Sequence, residues 1–258
     1  MKGIVYNGST TNLVDGLSLR APGPREVIVQ VAAAGLCHSD ISYMGGMYPV
    51  PSPGVCGHEA AGVVAEVGNA VTHVQPGDHV IIATLAACGF CQYCMDGRPT
   101  ACRATLGNAS TPFTLDGEAI YNFAATSAFA ERTLVRDVQC VKIPKDVPLT
   151  SAALVGCGVV TGMGAVFNRA NVKRGQSALV FGVGGVGLNV IQALKVQGAT
   201  TIIAVDTVPE KEALARQFGA THFLDGRTAD VIAEVGAIMP FNETMPRGPF
   251  NAGGVNWA

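Results

Sequence analysis

Charge is scarce in this sequence. Asp, Glu, Lys and Arg make up 14% of the 258 residues, apolar residues make up 48%, and the formal charges sum to −2. So apolar a chain with so few charges excludes long disorder. A balance this near zero gives no electrostatic reason to expect nucleic acid or an anionic membrane surface as partner. An unbroken apolar run of the roughly 18 residues that span a bilayer is also missing, so no membrane partner is expected. The opening Met1-Lys2-Gly3-Ile4-Val5-Tyr6-Asn7 lacks the apolar core of a signal peptide, which points to the cytoplasm.

Glycine, at 32 residues, and cysteine, at 8, stand out instead. In a cytosolic chain, eight cysteines argue for metal or catalysis rather than disulfides. The length admits two modest domains with cores of their own. The divide falls at Leu154-Val155-Gly156-Cys157-Gly158-Val159-Val160-Thr161-Gly162. Ahead of it lies a half rich in Cys, His, Gly and Pro. Behind it lies a half that reads as strand, glycine turn and helix. Cys157 alone reads as a small buried apolar residue.

In the first half, residues 1–35 suit short strands, with Val27–Val31 β-branched after the turn-like Ala21-Pro22-Gly23-Pro24. Cys37-His38-Ser39-Asp40 sets thiol, imidazole, hydroxyl and carboxylate side by side. That suits a metal site and its supporting groups, or a loop with one buried cysteine. Residues 44–62 read as loop and end in Cys56-Gly57-His58-Glu59, where His58 alone is more often a hydrogen-bonded core residue than a ligand. His73 and His79 read as surface or capping residues. Residues 63–68 read as strand into turn, 74–82 as turn into strand, 127–135 as a strand and 151–168 as a helix. Cys88, Cys91, Cys94 and Cys102 form C-x2-C-x2-C-x7-C, four thiolates able to close a tetrahedral cage in a lobe over 86–103. The competing readings are disulfides or an iron–sulfur cluster, but a ferredoxin run needs a shorter last spacing and a proline, so structural zinc is preferred.

In the second half, the buried-strand run Ser177–Phe181 meets Gly182-Val183-Gly184-Gly185-Val186-Gly187 and then a helical pattern. Gly182, Gly184 and Gly187 satisfy G-x-G-x-x-G between strand and helix. The first permits the turn, the second admits a pyrophosphate and the third lets helix pack on strand. The helix N-terminus adds unpaired N–H donors, with Gly185 and Val186 in the same turn. Thr201–Val205 reads as a second strand ending at Asp206, whose carboxylate suits ribose hydroxyls and would repel a 2′-phosphate. That favours NAD over NADP; the alternative is a helix cap without ligand. A helix near 209–218, a strand over 221–224 and a helix over 228–237 follow.

Taken in order, Cys37, Gly57-His58-Glu59, the four-Cys lobe, Gly156-Cys157-Gly158 and the glycine turn resemble the zinc-dependent alcohol dehydrogenases of the medium-chain dehydrogenase/reductase superfamily. The resemblance implies an α/β chain: a GroES-like β-rich catalytic domain (1–156), then a Rossmann domain (157–258), with the active site between them. It implies a catalytic zinc on Cys37, His58 and Cys157 and a structural zinc on the four-Cys lobe, two zinc per chain. It implies that Asp40 orients His58, that Glu59 stands beside the metal and that Ser39 takes the alcohol proton. His38 would lie near the cofactor pyrophosphate, Thr161 near the nicotinamide and Lys211 by the adenosine ribose. The implied reaction is reversible oxidation of an alcohol to an aldehyde or ketone with hydride transfer to NAD+. Alternatives are an inactive zinc-binding fragment, or a reductase acting on another small carbonyl or alcohol such as a glutathione adduct of formaldehyde.

Three departures from the family pattern stand out. Ser42 occupies the place of a relay histidine. Thr84, four residues before Cys88, stands where many relatives put an aromatic pocket wall, so a wider and more polar pocket is expected. Val255-Asn256-Trp257-Ala258 resembles the opening of a fourth Rossmann strand, so the chain is expected to be a fragment truncated after about half of that sheet, whose parent forms a homo-oligomer.

Overall fold

The structure, a computed structural model, describes residues 1–48, 51–106 and 110–240. The chain divides into Met1–Cys157 and Gly158–Ala258, so Cys157 counts with the first unit, one residue past the expected boundary.

The first unit holds strands β1 (Gly3–Tyr6), β2 (Thr11–Val14), β3 (Ser18–Leu19) and β4 (Glu26–Gly35), then helix α1 (His38–Met44). Next come β5 (Gly54–Val55), β6 (Glu59–Val67), β7 (His79–Ile82), α2 (Gln92–Met95) and α3 (Arg103–Leu106). It ends with β8 (Phe113–Leu115), β9 (Glu118–Asn122), β10 (Arg132–Arg136), β11 (Cys140–Lys142) and α4 (Leu149–Ala152). One sheet runs β2-β1-β5-β9-β8-β3, the other β10-β4-β6-β7-β11. Val27, Val29, Val64, Val80, Ile82 and Val135 form a core on the second sheet. Alternate positions of β-branched strands face one side, which is why these valines and isoleucines meet.

Two local expectations fail here for steric reasons. Residues 59–62 are strand rather than loop. Ala60, Ala61 and Gly62 lack β-branching, but close packing selects small residues there: a Cβ on Gly62 would stand 2.1 Å from Gln30 O. The strand expected over 127–135 starts only at Arg132. Ala124, Ala125 and Ser127 have φ of 52°, 53° and 52°, a left-handed path no strand can follow. His79 is also a strand residue rather than a cap, on β7.

A helical run covers Leu149–Ala170, with π-helical turns at Val155–Val159 and Ala165–Ala170 and helix α5 (Val160–Gly164) between them. It is 22 residues long with hydropathy 1.7, long and apolar enough by those measures to cross a bilayer. Thr150, Ser151, Thr161, Asn168 and Arg169 interrupt it, so it passes on mean hydropathy without being an unbroken apolar run. Its buried residues join two cores: Ala152 and Ala153 pack with Ala61 and Ile81, and Val166 packs with Val172 and Val180.

The second unit continues with β12 (Ser177–Phe181), α6 (Gly185–Gln197), β13 (Thr201–Asp206), α7 (Glu212–Phe218), β14 (His222–Asp225) and α8 (Val231–Ile238). The three strands are parallel in the order β12-β13-β14. Ala178, Val180, Ile202 and Ala204 point into one core and Leu179, Ile203, Val205 and Leu224 into another. Burial on both faces explains why these strands read as continuous apolar runs. The last helix begins at Val231, later than expected, because Asp230 caps it by accepting the Ala233 N–H at 3.1 Å. Residues 255–258 lie outside the described residues.

Candidate metal centres and dinucleotide site

Cys37 follows the end of β4 and is the N-cap of α1, with extended φ −106° and ψ 156°. Asp40, at the third helical position, accepts the Cys37 N–H on Oδ2 at 2.9 Å. Its Oδ1 lies 2.9 Å from His58 Nδ1, with Asp40 fully buried and His58 nearly so. A carboxylate on Nδ1 fixes the ring and turns the Nε2 lone pair toward the cluster. Phe123 meets the His58 ring edge-on at 5.8 Å, and Tyr43 stacks on Phe123 at 4.4 Å.

The ligand atoms of Cys37, His58, Glu59 and Cys157 all lie within 4.8 Å of one another. Room for the Glu59 carboxylate comes from Gly35: a Cβ there would stand 2.3 Å from Glu59 Oε2. Burial alone would pull the His58 imidazole down, but hydrogen bonds to Asp40 and Cys157 win, and its pKa is raised to about 11. Surroundings that favour positive charge so strongly suit a cation. Two thiols and an imidazole form the protein donor set of a zinc site, with the Glu59 carboxylate as near as the other three. The residues present therefore fit zinc.

Cys88, Cys91, Cys94 and Cys102 form the second cluster, their sulfurs also within 4.8 Å of one another. The Cys91 N–H donates to Cys88 Sγ and the Cys88 N–H to Cys102 Sγ, each at 3.3 Å. Burial and the neighbouring thiols push Cys94 up to about 11, while the Cys94 backbone N–H holds Cys91 below its usual range. Four thiolates this close repel, and a dication would remove the conflict. None of the eight cysteines is in a disulfide. Cys56 and Cys140 are buried, and burial pushes their thiols up to about 11 and about 12. That is the behaviour of inert core residues.

In the second unit the glycine turn joins β12 to α6. Gly182 has φ +88°, and a Cβ on Gly187 would stand 1.8 Å from Gly182 O, so helix and turn touch backbone to backbone. Cβ atoms on Gly184 and Gly185 would meet nothing within 4 Å, so that space is open at the N-terminus of α6. Asp206 accepts the Val183 N–H at 2.6 Å and the Val208 N–H at 2.9 Å, and pairs with Lys211 Nζ at 3.0 Å. Burial would raise its pKa, but the Val183 N–H and Lys211 outweigh it and hold the carboxyl below the usual range. A cavity of about 260 Å³ opens beside it, lined by Gly182, Asp206, Thr207 and Gly226 among others.

The remaining sequence candidates are placed as follows. Exposed His38 and half-buried Ser39 lie on the first turn of α1 beside Cys37, and Ser42 is buried further along it. Thr161 lies exposed on α5 in the second unit. The Thr84 hydroxyl is turned to the backbone, donating to Gly156 O at 3.3 Å. Sequence reasoning missed Gly35, Tyr43 and Phe123, because an aromatic or glycine in a β-rich half carries no mark of the side chain it will meet.

Residues 23–145 match the family model described as alcohol dehydrogenase GroES-like domain, and residues 185–248 match that of zinc-binding dehydrogenase. The chain belongs to the zinc-dependent alcohol dehydrogenase family. Among curated relatives, the S-(hydroxymethyl)glutathione dehydrogenase of Saccharomyces cerevisiae is 41% identical over 232 residues, covering 86% of this chain and 60% of the relative. Among solved structures, an alcohol dehydrogenase zinc-binding domain protein from Burkholderia ambifaria is 39% identical with a TM-score of 0.86. Benzyl alcohol dehydrogenase from Acinetobacter calcoaceticus is 38% identical with a TM-score of 0.85, and each match covers 92% of this chain and 67% of the solved one. The chain spans about three fifths of the length of the curated relatives it matches. GroES-like and Rossmann-type architecture, expected from the motifs, is what these relatives share with it.

Proposed function

We propose that the chain carries the site of an NAD-dependent zinc alcohol dehydrogenase, which oxidises an alcohol to an aldehyde or ketone, reversibly, with hydride passing to NAD+. The supporting observation is the convergence of Cys37, His58, Glu59 and Cys157 within 4.8 Å. Cys37, His58 and Cys157 would hold one zinc and the four-Cys lobe a second. When bound, the first ion supplies Lewis-acid polarisation of an alcohol oxygen, lowering the pKa of its proton. Asp40 keeps His58 in the tautomer that presents Nε2. Glu59 offers a carboxylate that can balance charge beside the ion. Ser39, half-buried two residues after Cys37, would accept the alcohol proton and pass it outward by hydrogen bonding. Buried Ser42 cannot act as a base at neutral pH, so the proton leaves through water.

NAD+ supplies the hydride acceptor. The open backbone of Gly184 and Gly185 at the head of α6 receives its pyrophosphate, and Asp206 a ribose hydroxyl. Three donors already occupy Asp206, leaving about one of its roughly four acceptor sites for ribose. The ionised carboxylate repels a 2′-phosphate, which supports NAD over NADP. The names of curated relatives add S-(hydroxymethyl)glutathione to the substrate candidates. The cytoplasm is the proposed compartment.

The test is NADH formation by the purified chain with a panel of primary, secondary and aromatic alcohols and with S-(hydroxymethyl)glutathione. Turnover that Cys157→Ala abolishes supports the dehydrogenase. Two zinc per chain without any turnover supports the zinc-binding fragment instead.

A further inference from the structure

The stretch that ends β7 touches Gly156 twice. A Cβ on Gly156 would stand 2.3 Å from Ile82 O, so only glycine lets this helical turn lie on the strand backbone. Two residues on, Thr84 Oγ1 donates to Gly156 O at 3.3 Å. Gly156 immediately precedes Cys157 in the π-helical turn Val155–Val159. π-helical turns are uncommon and gather at functional sites, where they re-aim one side chain. The same strand end is also tied to the other ligand: Ile82 pairs with Ala60 in the β6–β7 ladder, two residues after His58. One short stretch of backbone therefore references both His58 and Cys157.

We propose that Thr84 is a positioning residue: its hydroxyl, acting with the Ile82 carbonyl against Gly156, sets the Cys157 sulfur in register with His58. The proposal rests on the reading of Cys157 as a zinc ligand. At 3.3 Å the hydrogen bond is longer than the usual hydroxyl–carbonyl bond, so its effect is one of placement more than of global stability. Groups that hold ligands in place typically change metal affinity by about 10–100-fold when removed. Threonine here does what a phenylalanine pocket wall at the same position could not, because a phenyl ring has no donor to give Gly156.

The test follows alkylation of each cysteine by iodoacetamide in the zinc-loaded full chain, read peptide by peptide in a mass spectrometer. Thr84→Val keeps the shape and removes the donor; Thr84→Ser keeps the donor. In Thr84→Val, alkylation of Cys157 should rise about ten-fold or more. Alkylation of Cys88, Cys91, Cys94 and Cys102 should stay unchanged, and continued protection of the buried core thiols Cys56 and Cys140 reports that the unit is folded. Thr84→Ser should alkylate as the unaltered chain does. Wild-type protection of Cys157 in Thr84→Val overturns the proposal. So does a loss of protection in Thr84→Ser equal to that in Thr84→Val, a comparison that holds even if valine unfolds the unit. Failure of the zinc reading looks different: in the unaltered chain, chelation would then leave alkylation of Cys37 and Cys157 unaltered, and the positioning role would fall with it.

Discussion

Asp40 Oδ1 lies 2.9 Å from His58 Nδ1, while the other oxygen of the same carboxylate accepts the N–H of Cys37 at 2.9 Å. One side chain therefore starts helix α1 and aims the imidazole. Neither function can be removed without touching the other.

Asp40→Asn keeps the shape and removes the charge. Zinc affinity at Cys37, His58 and Cys157 should fall by about 10–100-fold. Dialysis against a graded chelator series followed by metal analysis measures it. Asp40→Ala should fall further, because it also leaves the Cys37 N–H without its acceptor. Equal zinc retention in all three proteins would show that the carboxylate does not orient the ring.

The glycine turn separates two reasons for lacking a side chain. Gly187→Ala forces a Cβ to 1.8 Å from Gly182 O, so the second unit should lose about 3 kcal/mol or more, seen as an earlier thermal or urea transition. Gly184→Ala meets nothing within 4 Å and should leave that transition in place. Its cost should appear only when NADH is titrated by fluorescence, because the methyl group fills the space proposed for pyrophosphate. A Gly184→Ala chain that binds NADH normally would remove the dinucleotide from this turn.

Asp206 links the turn to Lys211, and its pKa is held below the usual carboxylate range. A depressed folded pKa contributes stability above the unfolded value, and that contribution is lost as pH falls through the folded one. Urea midpoints of the second unit should therefore drop as pH falls below the ordinary carboxylate range. Asp206→Asn should flatten that drop and narrow the NADH-over-NADPH difference in fluorescence titrations.

The four-Cys lobe should hold its own ion. Cys94→Ser should lower the zinc content from two per chain to one, with the remaining ion lost on adding Cys157→Ala. A single zinc lost only on Cys157→Ala would show that the lobe is empty in solution.

Which parts were legible in the sequence follows from how local their causes are. The four thiolates within one lobe, the strand–glycine–helix of Ser177–Gln197 and the apolar runs of β12 and β13 each depend on near neighbours, and the chain spells them out. The helix at His38–Met44 is hidden because cysteine is a poor signal for an N-cap, and a carboxylate three residues on suits a metal site as well as a helix start. The strand through Ala60–Gly62 was hidden because its cause is the backbone of Gln30 pressing from the neighbouring strand. Thr84 read as a pocket wall because position alone suggested it. Its hydroxyl meets Gly156, 72 residues away, and no local pattern announces that contact.

The two metal clusters also differ in how much chain each must close. The lobe draws its sulfurs from Cys88 to Cys102, whereas Cys37 and Cys157 are 120 residues apart. Loop-closure entropy grows with the logarithm of that separation, which disfavours the longer closure by about 2 kcal/mol before any contact repays it. During refolding with zinc, the lobe can capture an ion while most of the first unit is still unstructured. The other cluster has to wait until β4, β6 and β7 are laid side by side, so its ion uptake marks the arrival of the finished sheet.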